Sequence, residues 1–257
     1  MIKRHSHETE SNENDRLTDF LLQQHLIERI QNHCQEYLQQ ASHIEEAFRD
    51  NDKILRCIDD RCPGGMHGAG SLILLPFEEA VATCQDMGVK AITSHVDCGA
   101  AAKYIKEHSL NPAEIEIIAM EYAKKLASAV NVPYAGHLSV VGSHAARVAY
   151  YDGTGRFDFS KLPEELPIGF SIDRAHLKPE YAVNTEARIA AQIMTSDHGY
   201  GQLITSDNPF IFVTIGDASR ELPFEQLQDE LKAGLGDFRD RIKIVGFEAG
   251  EIVADLK

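Results

Sequence analysis

The amino-acid sequence predicts an α/β fold: a central, mostly parallel β-sheet flanked by helices, with a long N-terminal helical segment. Two observations carry that prediction. Short apolar runs closed by Gly, Pro or Asp alternate with stretches whose apolar residues recur every three to four positions. Parallel neighbours need a crossover between them, usually a helix, so this alternation is the signature of a parallel sheet. Neither an internal repeat nor a linker is visible in the 257 residues. Residues 15–257 are therefore expected to form one domain behind a polar, flexible tail at 1–14.

The elements follow in order. Leu17, Phe20, Leu21, Ile27, Ile30, Cys34, Tyr37, Ala41, Ile44 and Phe48 form an amphipathic stripe, read as one helix or two joined helices. Residues 53–59 read as a buried strand stopped by Pro63-Gly64-Gly65. Phe77, Ala80, Val81, Cys84 and Met87 mark a helix that Gly88 ends. A second strand covers 89–94, a short helix starts at Gly99, and a longer one starts near Pro112, where proline suits a first turn. Strands are expected at 138–141 and 147–151, then a Pro-rich, charged loop over 156–183. A helix at 185–195, a strand at 210–215, a helix at 224–233 and a strand at 242–247 complete the chain.

Composition narrows the function. With 25 basic against 40 acidic side chains the formal charge is −15. Phosphate backbones and anionic membrane surfaces call for a basic face, so neither nucleic acid nor membrane is an expected partner. No apolar run approaches the length of a membrane span, and the first residues lack the apolar core of a secretory signal. Five cysteines, an odd number, read as thiols or metal ligands in a chain expected in the cytoplasm, free or inside a microcompartment. Cys34 and Cys84 fall in apolar stripes and are assigned to the core.

The chemistry concentrates at two strand ends, where open α/β sheets place their ligands. The first is Cys57-Ile58-Asp59-Asp60-Arg61 and the second His95-Val96-Asp97-Cys98-Gly99. Two thiolates and an imidazole form a soft donor set suited to zinc, and three ligands leave a tetrahedral position open. If the strand continues, Cys57, Asp59 and Arg61 point to one side. Arg61 can then grip Asp59 through two parallel hydrogen bonds and keep it ionised beside water at the metal.

Cys-x-Asp-x-Arg followed by His-x-x-Cys-Gly resembles the β-class carbonic anhydrases, which hydrate carbon dioxide to bicarbonate. The resemblance implies zinc held by Cys57, His95 and Cys98, with an Asp59–Arg61 dyad assisting the water. The string Ile54-Leu55-Arg56-Cys57-Ile58-Asp59-Asp60-Arg61, Pro63-Gly64-Gly65 and the stretch from Gly142 through His144 and Arg147 to Tyr150 are similar to the ζ class, which uses cadmium or zinc. The separation of Cys57 from His95 is shorter than in typical β-class enzymes, and the His-x-x-Cys spacing is tighter than in the ζ class. The chain thus resembles a divergent member, for which cadmium or another divalent ion stays open. The family also implies a homodimer or higher homo-oligomer, for which the 17–48 stripe is suited.

Alternatives stay open beside that reading. A carbon disulfide or carbonyl sulfide hydrolase uses the same metal set. A non-catalytic zinc or redox-sensing protein would recruit Cys62 as a fourth ligand. Gly64 and Gly65 read equally as a turn and as close backbone approach to substrate. His67 and His144 are candidates for proton transfer set against ordinary surface histidines. His198 reads as a loop residue, and His5 and His7 fall in the tail.

Overall fold

Eight strands, each parallel to its neighbours, form two four-stranded sheets in the computed structural model, which describes residues 16–49, 52–140 and 142–256. The first sheet holds β1 (Ile54–Arg56), β2 (Met66–His67), β3 (Ala91–His95) and β4 (Tyr134–Leu138) in the order β2-β1-β3-β4. The second holds β5 (Val148–Asp152), β6 (Gly169–Ile172), β7 (Phe210–Gly216) and β8 (Ile242–Glu248) in the order β6-β5-β7-β8. The expected single sheet is therefore two. They meet where Ser171 N, in β6, donates to Ile58 O at 3.2 Å, just past β1.

The two orders are the same. In each sheet the first strand is followed by a neighbour on one side and then by two strands on the other. No repeat is legible in the sequence, yet the topology repeats. In each unit the switch point, where connections depart to opposite edges, lies between the first and third strands. That is where such sheets accommodate ligands.

Most expected elements form. Helices α1 (Gln24–Gln40), α2 (Phe77–Met87), α3 (Gly99–Glu107), α4 (Ile115–Ala129), α5 (Arg188–Met194), α6 (Phe224–Gly234) and α7 (Gly250–Asp255) surround the sheets. Gly88 ends α2 with φ 68°, a left-handed conformation that costs glycine little. The N-terminal stripe is broken rather than continuous. A helical segment at 16–22 precedes α1, α1 kinks at His33, and His43 takes φ 62° before a 3-10 turn at Ile44–Phe48. Ala41 leaves in an extended conformation, so no helix could run through to 48.

Other boundaries moved for local reasons. The strand expected at 138–141 is Tyr134–Leu138, entered directly after Pro133 and registered with β3 through Ile92↔Tyr134. Residue 141 lies outside the described residues, as does the expected tail at 1–14 with His5 and His7. The expected loop at 156–183 contains β6, whose four residues are all buried and show no alternation to read. The helix expected at 185–195 opens as a π-helix, Ala182–Ala187, before α5.

One buried cluster runs through both sheets and includes Leu55, Ile92, Tyr151, Phe170, Phe212 and Leu227. A second joins Ile27, Ile30 and Leu38 of α1 to Val148, Ile211 and Phe247 of the second sheet. Each of those α1 side chains contributes about 1.5–3 kcal/mol by leaving water. No helix among the described residues is long and apolar enough to cross a membrane.

Candidate metal centre

Cys57 stands one residue past β1, His95 closes β3, and Cys98 precedes the first turn of α3. These are the adjacent strand ends at the first switch point. The two thiols and one imidazole nitrogen lie within 4.8 Å of one another, all three residues are buried, and the group could hold a metal ion. His95 Nδ1 lies 2.8 Å from Val96 O, and a carbonyl only accepts, so Nδ1 carries the proton. In the neutral, ligating form of the ring Nε2 is then the acceptor, and it is buried without a hydrogen-bond partner. A buried, unpartnered lone pair facing two thiols is the arrangement that a soft divalent cation satisfies.

The electrostatics point the same way. The Cys57 thiol is held well below its usual range, chiefly by a hydrogen bond from Cys98 and then by His95, against the effect of burial. Cys98 is pushed well above its range in return. Burial opposes charge on His95, but the Cys57 thiolate prevails and raises the ring to about 9. The cluster therefore pairs a thiolate with a protonated imidazole beside a neutral thiol, and a cation bound there would displace the two protons.

Asp59 and Arg61 meet as expected, by a different route. Residues 57–62 form a turn, not a continued strand. Cys62 N donates to Asp59 O at 2.8 Å, and Arg61 N donates to Asp59 Oδ1 at 3.0 Å, folding the chain back on the carboxylate. The guanidinium grips both oxygens, Nε to Oδ1 at 2.9 Å and Nη2 to Oδ2 at 2.8 Å, and its Nη1 donates to Gly142 O at 3.1 Å. Burial raises the Asp59 carboxyl, but Arg61, His144 and His95 outweigh it and hold it below the usual carboxylate range. Asp59 Oδ2 is 4.0 Å from His95 Nε2, so the dyad borders the ligand group.

Several supporting residues carried little or no signal in the sequence. Asp60 Oδ1 accepts from His144 Nδ1 at 2.6 Å, and Oδ2 accepts from Ala145 N and Ala146 N at 2.9 and 3.1 Å. His144 also lies 3.8 Å from Asp59 Oδ1 and stacks on Phe170. Gly70, at φ 56°, donates its N–H to Cys57 Sγ at 3.2 Å. A Cβ there would sit 2.7 Å from Ile73 and 3.3 Å from Cys98 Sγ, so only glycine brings the loop this close. The next amide back, Ala69 N, donates to Glu186 Oε1 at 2.7 Å from the π-helix, and the other Glu186 oxygen is buried and unpartnered. Local π-helical turns often mark functional sites.

Other candidates separate from the centre. Cys62 is buried with its thiol raised by burial, and it lies outside the three-ligand group. Cys34 and Cys84 are core residues whose thiols burial pushes up to about 12. His67 is 2 % exposed, so it is not a surface histidine; its Nδ1 donates to Cys57 O at 2.9 Å. Gly64 and Gly65 take φ 77° and 78°, and a Cβ on Gly65 would strike Ile54 O at 2.4 Å, so their glycine character serves the turn. His198 is exposed in a turn.

No family model matches the chain, and neither a curated protein nor a solved structure matches it.

Proposed function

We propose that the protein is a carbonic anhydrase, hydrating carbon dioxide reversibly to bicarbonate with zinc held by Cys57, His95 and Cys98. The observation that carries the reading is the buried, unpartnered Nε2 of His95 among two thiols, bordered by the clasped Asp59–Arg61 dyad. Two sulfurs and a nitrogen suit zinc, and three protein ligands leave a fourth position for substrate chemistry. Zinc bound there supplies Lewis acidity that makes a water nucleophilic near neutral pH.

The chain's own residues do the rest. Arg61 keeps Asp59 ionised and fixed. Asp59 accepts a hydrogen bond from the attacking water and so aims its lone pair at the carbon. Two thiolates neutralise much of a divalent charge, so an oriented carboxylate matters more here than beside three imidazoles. His144, 11 % exposed and 3.8 Å from Asp59 Oδ1, is the titratable group that passes the released proton to buffer. Leu17, Leu21 and Leu22, exposed on the first helical segment, supply apolar surface for a homodimer.

Metal analysis combined with stopped-flow CO2 hydration tests the reading. A zinc-replete preparation with no rate above background between pH 7 and 9 would overturn it. Parallel assays with carbonyl sulfide and carbon disulfide fix the substrate among the linear gases.

A further inference from the structure

The second sheet repeats the topology of the first, and a different chemistry gathers at its switch point. The loop leaving β5 reads Asp152-Gly153-Thr154-Gly155-Arg156 in the topological place of Cys57-Ile58-Asp59-Asp60-Arg61. Connections from β5 and β7 depart to opposite edges, toward β6 and β8. A cavity of about 220 Å³ opens beyond these strand ends. Arg156 lines it from the loop after β5, His176 from the loop after β6 and Arg220 from the loop after β7. Arg49 and Lys53 close it from the approach to β1.

The charge there runs against the rest of the molecule. Four cationic side chains face one carboxylate among the described lining residues, Asp86, in a chain of formal charge −15. Asp86 Oδ2 lies 2.8 Å from His176 Nδ1, a contact that orients the ring. The Arg156 side chain makes no hydrogen bond or ion pair with any described residue.

The loop is built to present these groups. Buried Asp152 accepts from Thr154 N and Oγ1 at 2.8 and 2.7 Å, from Arg156 N at 2.9 Å and from Phe157 N at 3.0 Å. Arg220 Nη1 donates to Thr154 O at 2.6 Å. Gly155 takes φ 67°, and a Cβ there would fall 2.7 Å from His176 Nε2 and 3.2 Å from Arg220 Nη1. The glycine therefore lets the backbone lie against both groups.

We propose that this cavity binds a phosphate-type oxyanion, free or as a small monoester, held by Arg156, Arg220 and His176. Two guanidinium forks and an imidazole N–H match a multiply charged, multidentate anion better than a single carboxylate. The volume is below the roughly 300–1,000 Å³ typical of drug-sized ligands, so the bound group is small.

Titration calorimetry with inorganic phosphate and with glycerol phosphate, against chloride of matched ionic strength, tests this on the full chain. Saturable binding is expected, weakened about tenfold or more in Arg156→Gln, where charge-assisted hydrogen bonds are lost. Arg156→Gln breaks no described side-chain contact, and Arg220→Lys keeps the charge while losing the fork, so both variants keep the fold, checked by thermal melting. Tighter binding of the ester identifies a phosphorylated metabolite, and equal binding identifies free phosphate. Absence of saturable heat with both probes, or undiminished binding by folded Arg156→Gln, overturns the proposal. The result stands apart from CO2 hydration, since neither residue belongs to the metal centre.

Discussion

Arg61 holds Asp59 at both carboxylate oxygens, at 2.9 and 2.8 Å, with both side chains largely shielded from water. A two-point grip fixes the orientation of the carboxylate as well as its charge. Asp59→Asn is therefore expected to retain metal and fold while losing about 10- to 100-fold in CO2 turnover, the usual cost of removing a partner next to a metal ligand. Arg61→Ala also strands a buried carboxylate, a loss of about 3–5 kcal/mol when one member of a buried pair goes. Stopped-flow rates and urea unfolding on the two variants separate these effects. Full turnover in metal-loaded Asp59→Asn would remove the dyad from the reaction.

Metal loading should follow the ligand group. The purified protein is expected to carry about one divalent ion per chain, with zinc favoured by the sulfur-nitrogen set. His95→Ala and Cys98→Ser should lose it, and Cys62→Ser should keep it, because Cys62 stands outside the group. Cys98 and His95 must each shed a proton to bind, so apparent affinity should rise with pH. Elemental analysis of the variants and competition with a chelator at pH 6 and 8 check both statements. Metal lost from Cys62→Ser would favour a closed, four-ligand structural site.

The centre was more legible than the scaffold around it, for a physical reason. Cys57, Asp59, Arg61, His95 and Cys98 announce themselves because few environments tolerate thiols, imidazole and a salt bridge at strand ends. The route by which Asp59 reaches Arg61 was misread, since an Asx turn and an extended strand both bring residues two apart together. Asp60 and Glu186 were invisible as participants, because Asp60 pairs with His144, 84 residues away, and with the backbone amides of Ala145 and Ala146, and Glu186 with the amide of Ala69; amides leave no mark in a sequence. The four-residue β6 and two-residue β2 fell below any periodicity, and with them went the second sheet and its repeated order.

Asp60 is expected to be a stability residue that also positions the site. It is buried and accepts from His144 and from two backbone amides. Asp60→Ala leaves those donors unsatisfied, at about 1–3 kcal/mol for each group that water cannot reach. Urea unfolding should show a lower midpoint with an unchanged slope. His144→Gln, by contrast, should lower kcat in dilute buffer, spare kcat/KM and recover in imidazole. A loss of kcat in that variant that imidazole leaves uncorrected would exclude His144 as the proton exit.

Asp173 gives a pH dependence of defined sign. Its carboxyl is buried and pushed up to about 8, first by desolvation and then by Asp152, although Oδ2 accepts from His67 N at 2.8 Å. The unfolded chain ionises near the ordinary aspartate value of about 3.9. Between about pH 4 and 8 the folded state therefore holds a proton that the unfolded state has released. Its contribution to stability is complete at the acid end of that window and declines as pH rises through it. Asp173→Asn removes the ionisation and retains an oxygen acceptor for His67 N. The variant should melt higher than the parent at pH 8, with the margin shrinking toward pH 5. Glu186, also buried and raised, adds a slope of the same sign, so the parent's decline should be reduced in the variant and not abolished. Melting curves across pH 5–8 decide the matter: a margin constant with pH would mean that Asp173 is ionised in the folded protein.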